Sequence, residues 1–212
     1  MAKIIGILGF IGSGKGTVAR HLVKHHGFKQ DSFAASLKDA CSAIFGWPRD
    51  MIEGESPESR IWRETEDTWW AEQLNIPHFS PRLALQLIGT NTLRDHFNPN
   101  LWFLTIQNRI RQSPEQDIVI SDVRFPNEIN FVRQMGGALM WVNRGPLPTW
   151  YDTALSANNG HSIAKEIMMQ SYSKVHYSEW AGIGEEVEYR IDNNGTISDL
   201  EIQISEIIKN LP

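Results

Sequence analysis

The chain has 212 residues, 41% apolar and 21% charged, with a formal net charge of −5 and a single cysteine. This length suits one compact domain that buries roughly 70% of its unfolded surface, with no need for a disulfide or a structural metal. The lone Cys41 cannot pair within the chain and points to a reducing, cytoplasmic setting. The acidic balance disfavours a dedicated nucleic-acid binder, and the apolar run Ile4–Leu8 is too short to span a membrane.

Ile4–Leu8, bounded by Gly9, reads as a buried strand. A helix over Lys15–His26 follows, with Val18, Leu22 and Val23 as its apolar stripe and Gly27 as its stop. Phe28–Phe33 reads as a short strand, and Ser36 as the cap of a helix over Leu37–Phe45. Residues 46–80 are punctuated by Pro48, Pro57, Pro77, Gly46 and Gly54, and read as an insertion with one helix around Arg60–Leu74. Pro81 opens a helix to about Phe97, and Pro99 another to about Arg111. Asp117–Ser121 is a third strand, followed by a helix from Asn127 to Met135 and a fourth strand, Ala138–Asn143. Residues 145–184 lack a strong period and read as a loose, partly helical excursion. Val187–Asp192 alternates as a strand, and Ile197–Asn210 is an amphipathic closing helix. Strands alternating with helices predict an α/β fold, a parallel sheet covered on both faces.

Between the first strand and first helix stands Gly9-Phe-Ile-Gly12-Ser-Gly14-Lys15-Gly16-Thr17. It departs from G-x-x-x-x-G-K-[ST] by one residue, because Gly16 follows the lysine and the hydroxyl comes at Thr17. Ile11, Gly12, Ser13, Gly14, Lys15, Gly16 and Thr17 are therefore expected to cradle the phosphates of a nucleotide, which the resemblance below makes ATP. Backbone N–H groups form the nest and the helix N-terminus adds its positive end. Lys15 supplies a point charge for the β/γ-phosphates, and Thr17 a hydroxyl for Mg²⁺. A phosphate loop also needs a carboxylate at the end of a neighbouring strand, and Asp122 is the candidate second metal group. Arg124 and Glu128 stand beside it at the mouth of the sheet; a surface ion pair capping the helix is their alternative reading.

The nine-residue loop resembles that of nucleoside monophosphate kinases. The chain as a whole resembles the bacteriophage deoxynucleoside monophosphate kinases, members of the P-loop kinase fold. The matching segments are Ala34-Ala-Ser-Leu-Lys38-Asp-Ala40, Arg82-Leu-Ala-Leu-Gln86-Leu-Ile-Gly89-Thr90-Asn91, Asp122-Val-Arg124-Phe-Pro-Asn-Glu128, Val142-Asn-Arg144 and His176-Tyr-Ser178-Glu179. The closing Asn193-Asn-Gly195-Thr-Ile-Ser-Asp-Leu resembles the family's last turn and helix, whereas residues 46–80 and 145–172 match poorly.

The resemblance implies one P-loop kinase domain over residues 1–212, with an acceptor-binding insertion at 46–80 and a lid at 145–184. It implies transfer of the ATP γ-phosphoryl group to a deoxynucleoside monophosphate, with Mg²⁺, in the host cytoplasm if the chain is phage-encoded. It is compatible with a homodimer. Lys38 and an insertion arginine, Arg63 with Arg60 as second choice, would hold the acceptor phosphate. Arg82, Gln86, Gly89, Thr90 and Arg94 lie on one helix, and the spacing of Arg82, Gln86 and Thr90 gives them a common face. Gln86 would read a base edge, Arg82 meet phosphate, and Trp102 stack on the base or wall the pocket. Asp122 and Glu128 would orient the acceptor or metal-bound water, and Arg144 would act where the chain enters the lid.

Two other activities compete with this reading. One is a P-loop kinase acting on a hydroxymethylated pyrimidine in DNA; the other is a non-catalytic nucleotide switch. Blander readings cover the remaining clusters. His21, His25 and His26 share one helix with no cysteine or acidic ligand beside them, and read as solvent-facing. Trp69-Trp70 reads as packing for the insertion and Cys41 as core.

Overall fold

The computed structural model describes residues 2–211. They fall into two compact units, one formed by the chain up to Ser32 together with that from Ser113 onward, the other by Phe33–Gln112.

The first unit holds a five-stranded, all-parallel sheet in the order β2-β3-β1-β4-β5, made of β1 (Ile4–Leu8), β2 (Lys29–Asp31), β3 (Ile118–Ile120), β4 (Ala138–Asn143) and β5 (Tyr189–Asp192). β1 and β3 are buried throughout, which explains their unbroken aliphatic runs, while β2 and β5 at the edges are partly exposed. On one face, Ile5 and Ile7 of β1 pack with Val18, Ala19 and Leu22 of α1 (Lys15–His26) and with Leu200 and Ile204 of the last helix, Ile197–Lys209. On the other, Gly6 meets Val123, Leu139 and Val132, the last from α8 (Pro126–Gln134). A fully buried Leu is worth about 2 kcal/mol in transfer free energy, so this double covering holds the strand ends that carry the chemistry.

The second unit is helical. In chain order it holds α2 (Ala35–Phe45), α3 (Arg49–Glu53), α4 (Pro57–Glu64), α5 (Thr68–Leu74), α6 (Pro81–Gln86) and α7 (Leu101–Gln112). Its core is aromatic: Phe45 stacks on Trp47 at 4.4 Å and meets Trp70 edge-on at 5.1 Å. The Trp47 and Trp70 indole N–H groups donate to Asp67 and to the Phe45 carbonyl.

Three local expectations change. The single helix around Arg60–Leu74 is two, because the Asp67 side chain accepts from Trp70 N–H and starts a new helix at Thr68. Ser36 is not the cap of α2, which begins at Ala35; the Ser36 hydroxyl accepts instead from Arg109 of α7. The helix from Pro81 does not stay α-helical to Phe97, since Leu87–Phe97 winds as a π-helix. The stretch 145–184 is more ordered than its composition suggests, with α9 (Tyr151–Asn158), α10 (Ser162–Gln170) and buried Trp180, Ala181 and Ile183. The closing helix is α11 (Ile197–Lys209).

Candidate functional site

The loop after β1 is shaped by glycines in conformations that side chains resist. Gly9 has φ +140°, and a Cβ there would lie 2.3 Å from the Val142 carbonyl oxygen. Gly14, with φ +100°, is the residue before α1, and a Cβ on it would lie 2.2 Å from Asn193 Nδ2. The loop and the first turn of α1 thereby present backbone N–H groups at a positive helix end, suited to an anion. Phe10 anchors the loop through edge-on contacts with Trp141, Trp150 and Tyr151.

Lys15 folds back over this loop, its ammonium donating to the carbonyls of Gly9 at 2.7 Å and Phe10 at 2.8 Å. Burial, and then the nearby Arg124, bring its pKa from 10.5 down to about 8, against the opposing pull of Glu179 and Asp122. Ser13 is buried, and its hydroxyl has no hydrogen-bond partner. Thr17, at the start of α1, accepts from Arg20 at 3.3 Å. The hydroxyl of Thr17 and the carboxylate of Asp122 are hard oxygen donors of the type Mg²⁺ takes, and with the unpartnered Ser13 hydroxyl they make a donor set that fits magnesium with phosphate.

Lys15 follows β1, Asp122 and Arg124 follow β3, Arg144 follows β4 and Asn193 follows β5, so the groups gather at the carboxyl ends of parallel strands. The Arg124 guanidinium donates to Glu179 at 2.5 Å and Ser178 at 3.3 Å. Arg144 is exposed. Glu128 does not face an acceptor as expected: it is 3% exposed, and its carboxylate accepts from the backbone N–H groups of Arg124 and Phe125. It caps α8 and so sets the direction in which Arg124 leaves the sheet. Of the alternative reading, an Arg124–Glu128 pair capping the helix, the cap is present in Glu128, while the Arg124 guanidinium pairs with Glu179.

The acceptor-side candidates all lie in the second unit. Lys38 pairs with Glu53, which also holds Arg49 at 2.5 Å, while Arg49 reaches Asp39 at 2.6 Å. These two cations keep the Glu53 carboxyl below its ordinary value despite its burial. Arg63 donates to the Glu53 carbonyl at 3.1 Å and Arg60 to the Gly54 carbonyl at 3.2 Å, so both insertion arginines brace the end of α3. Arg82, Gln86 and Thr90 are all exposed, but the π-helix from Leu87 alters the angular spacing that aligned Thr90 with the other two. Gly89 is buried against Leu37, and Arg94 is partly buried. Trp102 is not open to a base: it is 6% exposed and its indole N–H donates to the Gly89 carbonyl at 3.1 Å, making it core. Trp70 is packing as expected, while Trp69 is exposed.

No family model matches the chain. A protein assigned as a deoxynucleotide monophosphate kinase in Acanthamoeba polyphaga mimivirus is 34% identical, over 66% of this chain and 74% of that protein. The chain belongs to the deoxynucleoside monophosphate kinase family. The deoxynucleoside-5′-monophosphate kinase of Escherichia phage T5 is 24% identical over 63% of this chain and 73% of its own length. Among solved structures, TT1252 from Thermus thermophilus superposes with a TM-score of 0.46 at 19% identity, covering 100% of this chain and 98% of its own. Dephospho-CoA kinase from Campylobacter jejuni superposes at 0.45 and 13% identity, covering 99% and 97%. Its family membership, together with the glycine loop and Lys15, makes the chain a P-loop nucleotide kinase, a phosphotransferase. No helix among its described residues is long and apolar enough to cross a membrane.

Two groups of this kinase escape sequence reasoning. Asn193 Nδ2 donates to the Ser13 carbonyl at 2.8 Å across a separation of 180 residues, bracing the phosphate loop from the far end of the chain. Glu179, which holds Arg124 and raises the pKa of Lys15, comes from the stretch that reads as a loose excursion. For both, the available signal is a family-like segment, His176-Tyr-Ser178-Glu179 for the second and the closing Asn193-Asn-Gly195 turn for the first, and neither segment says which loop group it meets.

Proposed function

We propose that the chain transfers the γ-phosphoryl group of ATP to the 5′-phosphate of a deoxynucleoside monophosphate. An acceptor phosphate oxygen bonds to the γ-phosphorus, the bond to the β-phosphate oxygen breaks, and ADP leaves with the electron pair. The observation that carries the reading is the Lys15 ammonium folded over the glycine loop, within the field of Arg124, Glu179 and Asp122. The names of the mimivirus and phage T5 relatives support the acceptor class, and their viral source supports the cytoplasm of an infected cell.

In this reading the loop from Ile11 to Thr17 holds the ATP phosphates, and Lys15 turns from its carbonyl partners to the transferred group. Thr17 and Asp122 would hold Mg²⁺, which supplies charge neutralisation on the phosphate oxygens when bound. Arg124 and Arg144 add cationic charge for the transition state. The acceptor already carries an ionised nucleophile, so no strong general base is needed and catalysis is positioning and neutralisation. Lys38 and Arg63, with Arg60 as second choice, and Arg82 are the acceptor-phosphate candidates, with Arg94 as a further cation and Gln86 and Thr90 as exposed polar groups for sugar or base. An acceptor phosphate at Lys38 would compete with Glu53 for its ammonium.

The test is product identification after incubation with ATP labelled at the γ-phosphate. Label in deoxynucleoside diphosphate supports the proposal. Label only in an oligonucleotide carrying hydroxymethylated pyrimidine would replace it with base phosphorylation in DNA.

A further inference from the structure

We propose that His21, His25 and Glu201 form a binding site for a divalent first-row transition ion, zinc(II) above others, joining α1 to α11. The two histidines sit one turn apart on α1, the i, i+4 spacing with which a helix presents two imidazoles to one ion. The acidic ligand absent from their sequence neighbourhood comes from α11. Leu200 packs in the core shared with α1, and the next residue, Glu201, brings its carboxylate 3.5 Å from His21 Nδ1. One ligand atom from each of the three residues lies within 4.8 Å of the other two.

A tetrahedral zinc with bonds of about 2.0–2.1 Å needs ligand atoms about 3.4 Å apart. The His21–Glu201 edge is therefore already near its bound length. The remaining closure falls to side chains free to rotate, since His25 is exposed and the Glu201 side chain is 47% exposed. The rings of His21 and His25 lie 4.7 Å apart, and those of His21 and His26 5.4 Å. His21 Nε2 and His26 Nε2 are buried without hydrogen-bond partners; an ion bound at His21 Nδ1 leaves both as they are, so it is the Nδ1 edge toward Glu201 that is poised for ligation.

The cluster opens on a groove of about 410 Å³, roomy enough for a water in the fourth position. Glu206 and Lys209 line the same groove and offset one another, so Glu201 leaves it with a negative balance when the rings are neutral. Two nitrogens and one carboxylate suit zinc and its transition-metal neighbours; magnesium and calcium prefer oxygen throughout. The site shares no residue with the phosphate loop or Asp122.

Isothermal titration of zinc sulfate into tag-free, EDTA-treated protein, with circular dichroism to establish folding, tests this. One ion is expected at micromolar Kd. His25→Gln and Glu201→Gln, both at solvent-reachable side chains, should each weaken binding at least tenfold, while Asp122→Asn should retain it. Zinc at a hundredfold excess over the Kd of the unsubstituted protein should raise its thermal midpoint by roughly 5–10 °C, and that of either ligand variant by about half as much or less. Binding weaker than about 1 mM, or an unchanged Kd in either ligand variant, overturns the proposal.

Discussion

Replacing Lys15 by Met should separate the stability of the fold from its function in a pH-dependent way. Burial and Arg124 bring the folded-state pKa from 10.5 down to about 8. Between those two values the unfolded chain binds the proton that the folded chain has released, so stability rises with pH across that window. Below pH 8 the folded state carries a charged amine at a cost of about 3 kcal/mol, taking 1.36 kcal/mol per pH unit of displacement. Raising the pH from 7 to 9 relieves about 1.3 kcal/mol of that cost. Methionine has nothing to titrate. The hydrogen bonds to the Gly9 and Phe10 carbonyls are lost in the variant at every pH, so they change the offset between the two proteins and not its slope. Differential scanning calorimetry without nucleotide should therefore show the midpoint of the variant, relative to the unsubstituted protein, falling by about 3–5 °C between pH 7 and pH 9. ATP binding should be lost in the variant throughout. An offset that is flat with pH, or that grows in the variant's favour, would refute the picture of a buried, pKa-lowered ammonium.

Three further changes probe the surrounding geometry. Gly9→Ala places a Cβ 2.3 Å from the Val142 carbonyl at a φ of +140°, and should cost more than about 3 kcal/mol in urea unfolding along with ATP affinity; an unchanged unfolding midpoint would contradict the close approach. Asn193→Ala removes the donor to the Ser13 carbonyl, worth about 1 kcal/mol, and should raise the KM for ATP about fivefold while leaving the acceptor KM alone; equal rises in both would point to general damage. Glu179→Gln keeps a polar neighbour for Arg124 but removes a charge that raises the Lys15 pKa, so the loss of ATP affinity on the alkaline side should move to lower pH, and an unmoved limb would count against the coupling.

Features written in contiguous residues are legible in the sequence alone. β1 and the glycine loop read directly, because a buried strand is an unbroken aliphatic run and the turn into α1 needs glycine. Gly27 ends α1 in a left-handed conformation, as a helix-terminating glycine should. Asp67 is harder to see as a new helix start, since no glycine or proline marks the break before it. What escapes depends on partners distant in sequence. Trp102 is an aromatic near nucleotide-type groups until the Gly89 carbonyl accepts its N–H. Glu128 is a carboxylate beside Asp122 until two backbone N–H groups claim it. Glu201 cannot be associated with His21 without knowing that α11 packs along α1.

The central claim is that the folded-back lysine serves phosphoryl transfer to a free nucleotide. Its most direct test is a coupled measurement of ADP release with each deoxynucleoside monophosphate in turn, including hydroxymethylated ones, for the unsubstituted protein and for Lys15→Met. The expected result is ADP release that depends on at least one acceptor and disappears in the variant. ATP binding without acceptor-dependent ADP release on any of these nucleotides would contradict it.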